Sequence, residues 1–285
     1  MNDSVFVNYR DYNYINALIF RNLYRIPEDI DAIVGIPRSG MITATMIAEY
    51  KSIQVTDVFS FINGTPTVSV NTHGSLSKQF KSKGIKKILL VDDCMGFGTT
   101  MRNTVDLIKR IKPDVDIITF VVFAEPYSTD KVDIYCEVMR YQFMPYSILK
   151  RGMQYACVDM DGVLTEDVPY EYNTDDDRYR NFLLNQRPMF TPETPIYKIV
   201  TGRLVKHADV TKEWLRKHNI QYNQLIMLDC PNNARRAEIN VGEYKGMEYR
   251  KCDAELFIES DLNEARAIKR VSNKPVFCTQ ICEMI

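Results

Sequence analysis

Short, fully apolar runs recur along the chain, each followed by a polar turn and then by apolar positions at helical spacing. Ala32-Ile33-Val34-Gly35-Ile36 and Lys87-Ile88-Leu89-Leu90-Val91 are too short for helices and show no polar alternation, the pattern of strands covered on both faces. Asp116 to Glu125 and Val132 to Met139 read as two further strands, and Thr67-Val68-Ser69-Val70 is a short alternating run. Helical spacing appears at Tyr12, Ile15, Ile19 and Leu23, ended by Pro27, then at Ile42, Met46, Ile47 and Tyr50, and again at Val105, Leu107, Ile108 and Ile111. Strands alternating with helices predict a five-stranded, parallel α/β sheet. The aromatics Tyr9, Tyr12, Tyr14 and Tyr24 read as core and interface filling.

From Arg140 to Met153 the rhythm breaks, with Pro145 inside the break, and a second series then begins. Its strands are Tyr155-Ala156-Cys157-Val158, Ile199-Val200-Thr201-Gly202, Glu255 to Asp261 and Pro275-Val276-Phe277-Cys278, and Val210, Trp214 and His218 share one helical face, which makes Trp214 a core residue. A chain of 285 residues has room for two cores. The domains are expected at 1–146 and 152–285, both doubly wound and Rossmann-like.

Charge and cysteines narrow the function classes. A net charge of -1 gives no general attraction for nucleic acid, and no local basic patch is visible. The longest apolar runs fall short of a membrane span, and Met1-Asn2-Asp3-Ser4 lacks the charged and apolar regions of a signal peptide, so a cytoplasmic protein is expected. Seven cysteines in an odd, scattered set read as reduced thiols. Cys278 and Cys282 lack a nearby histidine to complete a zinc set.

The chemistry sits where apolar strands end. Asp92 and Asp93 close one strand, and Gly96, Phe97, Gly98, Thr99 and Thr100 follow before a helix. Glycines permit close backbone approach, the threonines bring hydroxyls, and a helix start offers free N–H groups, which together form a phosphate cradle. Two acids ahead of it suit diol hydroxyls beside a phosphate, as in a ribose 5-phosphate. Upstream, Pro37-Arg38-Ser39-Gly40 joins a strand to a helix with a cation, a hydroxyl and a glycine, again suited to an anion. Residues 61 to 84 are long and polar, a segment type that is functional or disordered.

These residues resemble the phosphoribosyl pyrophosphate (PRPP) motif and pyrophosphate loop of type I phosphoribosyltransferases. The resemblance implies that Asp92 and Asp93 bind the ribose hydroxyls, that Gly96, Gly98, Thr99 and Thr100 hold the 5-phosphate, and that Arg38, Ser39 and Gly40 hold the leaving pyrophosphate. Phe97 stands where that family has Thr, which removes one side-chain donor. The resemblance also implies a loop closing over PRPP in the 61–84 region, with His73, Lys78 and Lys81 as contacts or as solvated charges.

In the second half, Asp159-Met160-Asp161-Gly162-Val163-Leu164-Thr165 places two carboxylates one residue apart at a strand end, able to share a divalent cation or to divide nucleophile and acid/base work. The stretch resembles the haloacid dehalogenase (HAD) signature. By that resemblance Asp159 is the nucleophile, Asp161 the general acid/base, Thr201 the phosphoryl-binding residue and Lys251 the charge-steadying lysine, with Lys245 as runner-up. Mg²⁺ is expected on Asp159, Asp161 and Asp261, with Glu259 close behind. The thirty residues between Thr165 and Ile196 leave room for a small cap only, and the run Asp175-Asp176-Asp177 reads as a solvated surface or helix cap.

Together the resemblances imply a type I phosphoribosyltransferase fold followed by a HAD fold with a small cap. The expected activity is transfer of 5-phosphoribosyl from PRPP to an acceptor, a saccharide in polysaccharide biosynthesis, followed by removal of the 5-phosphate to leave ribofuranose. Expected partners are PRPP and a small-molecule or glycan acceptor, with homo-oligomerisation left open. A nucleobase phosphoribosyltransferase of salvage or repair and a non-enzymatic PRPP-binding regulator stay as alternatives.

Overall fold

The computed structural model describes residues 8–64, 84–140, 144–148, 152–169, 172 and 176–285. Thr67–Val70, His73, Lys78, Lys81 and Asp175 lie outside them. The chain divides into Arg10–Gln142 and a second unit comprising Phe143–Ile285 with Met1–Tyr9. The division thus falls a few residues before 146, and Tyr9 belongs with the C-terminal half, where its hydroxyl donates to the Cys282 carbonyl and its ring meets Phe277.

The first unit contains α1 (Tyr12–Asn22), β1 (Ala32–Gly35), α2 (Gly40–Lys51), β2 (Val55–Asp57), α3 (Val58–Asn63), β3 (Lys87–Met95), α4 (Thr99–Ile111), β4 (Asp116–Ala124) and β5 (Ile134–Val138). The five strands lie in the order β2-β1-β3-β4-β5, and every pair is parallel. Ile88, Leu89, Leu90 and Val91 of the central strand β3 are fully buried, as continuous apolar character requires under helices on both faces. β2 has only three residues, too few to announce itself as a run.

Helix α2 turns a different face inward than its large residues suggest. Ile42 and Tyr50 are exposed, while Thr43, Ala44, Ile47 and Ala48 are buried. The helix lies so close to the sheet that a Cβ on Gly35 would stand 3.0 Å from Ala44 Cβ, and small side chains permit that approach. Tyr24, expected as filling, is 83% exposed.

The second unit contains β6 (Ala156–Val158), α5 (Asp176–Asn185), β7 (Lys198–Leu204), α6 (Ala208–Lys217), β8 (Leu225–Leu228), α7 (Asn233–Arg236), α8 (Val241–Arg250), β9 (Leu256–Glu259), α9 (Leu262–Ser272), β10 (Val276–Cys278) and β11 (Glu283–Met284). Its sheet runs β11-β10-β9-β6-β7-β8, parallel throughout except for the β10–β11 edge pair. Trp214 is buried as expected, and Asp176 and Asp177 open α5. Among the described residues no helix is long and apolar enough to cross a membrane.

Gly242 and Gly246 bring α8 onto α9 at backbone contact. A Cβ on Gly246 would stand 2.8 Å from Val271 Cβ and 3.1 Å from Ile268 Cα. Gly246→Ala should therefore force the two helices apart and destabilise the unit by about 1–3 kcal/mol, despite the helix propensity that alanine adds. Urea unfolding measures this, and an unchanged or raised midpoint would refute the packing.

Candidate active sites

Strands β1 and β3 are neighbours, with Gly35 opposite Val91, so the loops that follow them leave the sheet side by side. The first carries Arg38, Ser39 and Gly40, and the second carries Asp92 to Thr100. Ser39 Oγ donates to Asp93 Oδ1 at 2.9 Å, joining the two. A Cβ on Gly40 would stand 2.8 Å from the Val91 carbonyl oxygen and 2.9 Å from Asp92 Oδ1, so the start of α2 reaches the acids only because residue 40 has no side chain. The Pro37–Arg38 peptide is cis.

Asp92 and Asp93 lie within β3 rather than beyond it; Asp92 is opposite Val121 and Asp93 is buried. Burial, followed by the adjacent Asp93 charge, pushes the Asp92 carboxyl up to about 8. Tyr12, expected to pack in the core from α1, is instead 36% exposed, and its hydroxyl is pushed up by burial and then by Asp93. It is a site neighbour that its helical spacing concealed.

Beyond the acids, Gly96, Thr99 and Thr100 are exposed, a Cβ on Gly96 would meet nothing within 4 Å, and Gly98 adopts φ 79° before α4. The loop is therefore open, with the first-turn amides of a thirteen-residue helix behind it. Phe97 points into solvent and stacks on Tyr127 at 5.2 Å between centroids. A groove of about 550 Å³ runs beside it past Gly98, Arg102 and Lys131, and neither Asp92 nor Asp93 lines it.

In the second unit the adjacent strands β9, β6 and β7 bring together Glu259, Asp159 and Thr201. Lys245 of α8 is buried among them, with Nζ 2.7 Å from Asp159 Oδ2, 2.8 Å from Glu259 Oε2 and 2.7 Å from Glu264 Oε2. Lys251 does not reach this site. Its side chain is 65% exposed and pairs with Glu248 at 2.8 Å, because it follows α8 on the solvent side while Lys245 sits on the buried face. Of the two lysines, Lys245 is the one that meets the carboxylates.

Burial alone would push the Lys245 ammonium down, but Asp159, Glu259 and Glu264 override it and hold it above its ordinary value. Three carboxylates face one ammonium, so negative charge is in excess, and burial pushes both Asp159 and Glu259 up.

Arg203 is a residue that the motifs did not announce. Its guanidinium is fully buried, and Nε and Nη2 fork onto both oxygens of Asp161 at 2.6 to 3.1 Å. Nη2 also donates to Thr165 Oγ1 and Gln186 Oε1, and Gln186 in turn donates to the Glu166 carbonyl and accepts Trp214 Nε1 through its own carbonyl. Asp161 is thus tied to the ends of the inserted segment. Thr201 Oγ1 accepts from the Arg203 backbone N–H. Gly162 has φ 75°, and a Cβ there would stand 2.3 Å from Ser260 Oγ, so the turn after Asp161 excludes any other residue.

Among the described residues no group of three or more His, Cys, Asp or Glu side chains is poised around one metal position. Asp161 is committed to Arg203, and Glu259 to Lys245 and to the N–H groups of Ser260 and Asp261. Asp261 uses Oδ1 to cap α9 at the Glu264 N–H. Asp159 Oδ1, however, is buried without a hydrogen-bond partner. A hard, orphaned carboxyl oxygen inside a region of excess negative charge fits Mg²⁺, which needs only one or two carboxylates alongside water and phosphate. Asp167, whose carboxyl is raised by burial and by Asp161 and Asp261, adds to the same acidic rim.

Residues 11–147 match the family described as the phosphoribosyl transferase domain, so this stretch is a domain of that type. Over 85 residues the chain is 33% identical to a protein named transcriptional regulator GfcR from Methanocorpusculum labreanum, a match covering 30% of this chain and 41% of that relative. Among solved structures, a purine phosphoribosyltransferase from Pyrococcus horikoshii is 20% identical with a TM-score of 0.35, covering 48% of this chain and 92% of its own. A xanthine-guanine-hypoxanthine phosphoribosyltransferase from Helicobacter pylori is 13% identical with a TM-score of 0.36, over 48% and 90%.

Two predictions follow from these charges. The raised Asp92 carboxyl disfavours the folded state by an amount that is absent below about pH 3.8, grows until about pH 8 and is constant above. Asp92→Asn should therefore gain stability over wild type between pH 5 and 8.5, on the order of a few kcal/mol, in urea unfolding at the two pH values. Lys245→Ala leaves the buried carboxylates uncompensated and should cost about 3–5 kcal/mol. Lys251→Ala should fall within about 0.5 kcal/mol of wild type in the same measurement.

Proposed function

We propose that the chain is a bifunctional enzyme: residues 11–147 transfer 5-phosphoribosyl from PRPP to an acceptor, and the second unit removes the 5-phosphate. The observation that carries the first step is the pairing of the β1 and β3 loops through Ser39 and Asp93. It sets an anion loop, a pair of acids and an open glycine-threonine cradle at one sheet edge, where α/β folds bind ligands. The acids accept from the ribose hydroxyls, and the amides at the start of α4, with Thr99 and Thr100, take the 5-phosphate. Arg38 and the loop around Ser39 and Gly40 take the departing pyrophosphate, whose negative charge grows as the glycosidic bond breaks.

The second step rests on the strand order of the second unit and on Asp159, Asp161, Thr201 and Lys245. Strands β10-β9-β6-β7-β8 form a parallel sheet centred on β6, and Asp159 leaves its end. Asp159 attacks phosphorus to form an aspartyl-phosphate as the sugar oxygen departs, while Thr201 and Lys245 hold the phosphoryl oxygens. Asp161 exchanges part of its Arg203 fork to serve as the general acid/base, and water then hydrolyses the aspartyl-phosphate to release phosphate and restore Asp159. Mg²⁺ would be held by Asp159 and Asp261, and when bound it would offset the repulsion between the nucleophile and the phosphate.

A salvage enzyme would waste its nucleotide by stripping the phosphate, which favours a saccharide acceptor and a ribofuranosyl product. Covalent linkage of the two units raises the effective concentration of the second site for the first site's product. A second reading, a PRPP-binding regulator without turnover, draws on the likeness to the protein named as a transcriptional regulator.

Incubation with PRPP, Mg²⁺ and a panel of saccharides, purines and pyrimidines, following pyrophosphate and product mass, tests both. Wild type should release pyrophosphate with a saccharide and yield a product lacking phosphate. Asp92→Asn with Asp93→Asn should lower pyrophosphate release by about 10²-fold or more. Asp159→Asn should release pyrophosphate normally and leave the phosphate on the product. Loss of pyrophosphate release in Asp159→Asn would overturn the division of labour, and no turnover with every acceptor would favour the regulator.

A further inference from the structure

Two thiols in the second unit take no part in the proposed chemistry. Cys157 is fully buried in β6, and Cys252 is half-buried just beyond the end of α8; their sulfurs lie 3.6 Å apart, the closeness of a thiol hydrogen bond. That distance must shorten by about 1.6 Å to reach a disulfide bond of about 2.0 Å. We infer that Cys157 and Cys252 form a reversible disulfide site that reacts with small-molecule disulfides.

The surroundings assign the two sulfurs different roles. The hydrogen bond from Cys157, the backbone of Ala254 and the charges of Lys198 and Lys274 outweigh burial and bring the Cys252 thiol down to about 6. Lys274 also pins the turn around Cys252, with Nζ donating to the carbonyls of Tyr249, Cys252 and Ala254 at 2.6 to 3.1 Å. Cys252, half-buried where Cys157 is fully enclosed, is the sulfur that a small disulfide reaches first, and Cys157 is the resolving thiol.

The chemistry balances in two exchanges. The Cys252 thiolate attacks one sulfur of the small disulfide, forming a mixed disulfide and expelling one thiolate. Cys157 then loses its proton and attacks Cys252 Sγ, expelling the second thiolate. The protein loses two electrons and two protons, and the co-reactant becomes two thiols. The bond would staple β6, which leads into Asp159, to the end of α8, which carries Lys245. The inference rests on the sulfur geometry and does not depend on the proposed activities.

The test uses the full chain, folded and fully reduced, equilibrated near pH 7 in mixtures of oxidised and reduced glutathione. After acid quenching, denaturation and alkylation, peptide masses are mapped. The expected species has lost two hydrogens, with the Cys157 and Cys252 peptides joined, and it reverts on reduction. Cys157→Ser should trap one glutathionyl group on Cys252, and Cys252→Ser should leave Cys157 alkylatable after denaturation. Half-buried Cys136, pushed up to about 12 by burial, is the internal comparator and should stay unreacted. Recovery of Cys157 and Cys252 both fully alkylated from strongly oxidising mixtures, or joining of either to another cysteine, would overturn the inference.

Discussion

Like charges are packed together in both units, and each must be compensated without leaving its strand end. In the second unit a single ammonium, Lys245, is shared among Asp159, Glu259 and Glu264, and a single guanidinium, Arg203, takes the whole of Asp161. Neither cation is optional, because a buried carboxylate without a partner costs several kcal/mol. Since α8 must deliver Lys245 to the sheet, its glycines and its contact with α9 become part of the same constraint. Negative charge remains in excess around Asp159, whose Oδ1 is buried without a hydrogen-bond partner.

The first unit meets the same difficulty by other means. The Ser39 hydroxyl donates to Asp93 and the Asp93 backbone N–H donates to Asp92, while burial and then the adjacent Asp93 charge push the Asp92 carboxyl up.

Much of this was legible in the sequence, for identifiable reasons. Asp92, Asp93, Asp159 and Asp161 follow apolar runs directly, and a parallel strand always delivers its last residues to the ligand edge. What escaped was set by helix faces and by long side chains. Lys245 and Lys251 are both near the acidic strand in sequence, and only the turn of α8 separates the buried one from the solvated one. Arg203 lies in an apolar strand as an apparent exception, and its partner Asp161 is forty-two positions away. The strand β2 was too short to form a recognisable run, and the exposed faces of Ile42 and Tyr50 were hidden because close packing of small residues in α2 outranked hydrophobic size.

The chain contains one tryptophan, Trp214, and it is enclosed in the second unit with its indole N–H on the Gln186 carbonyl. Red-edge ultraviolet excitation therefore addresses the second unit alone. Because Gln186 also meets Arg203, the indole emission is an optical reporter built beside the Asp161 fork.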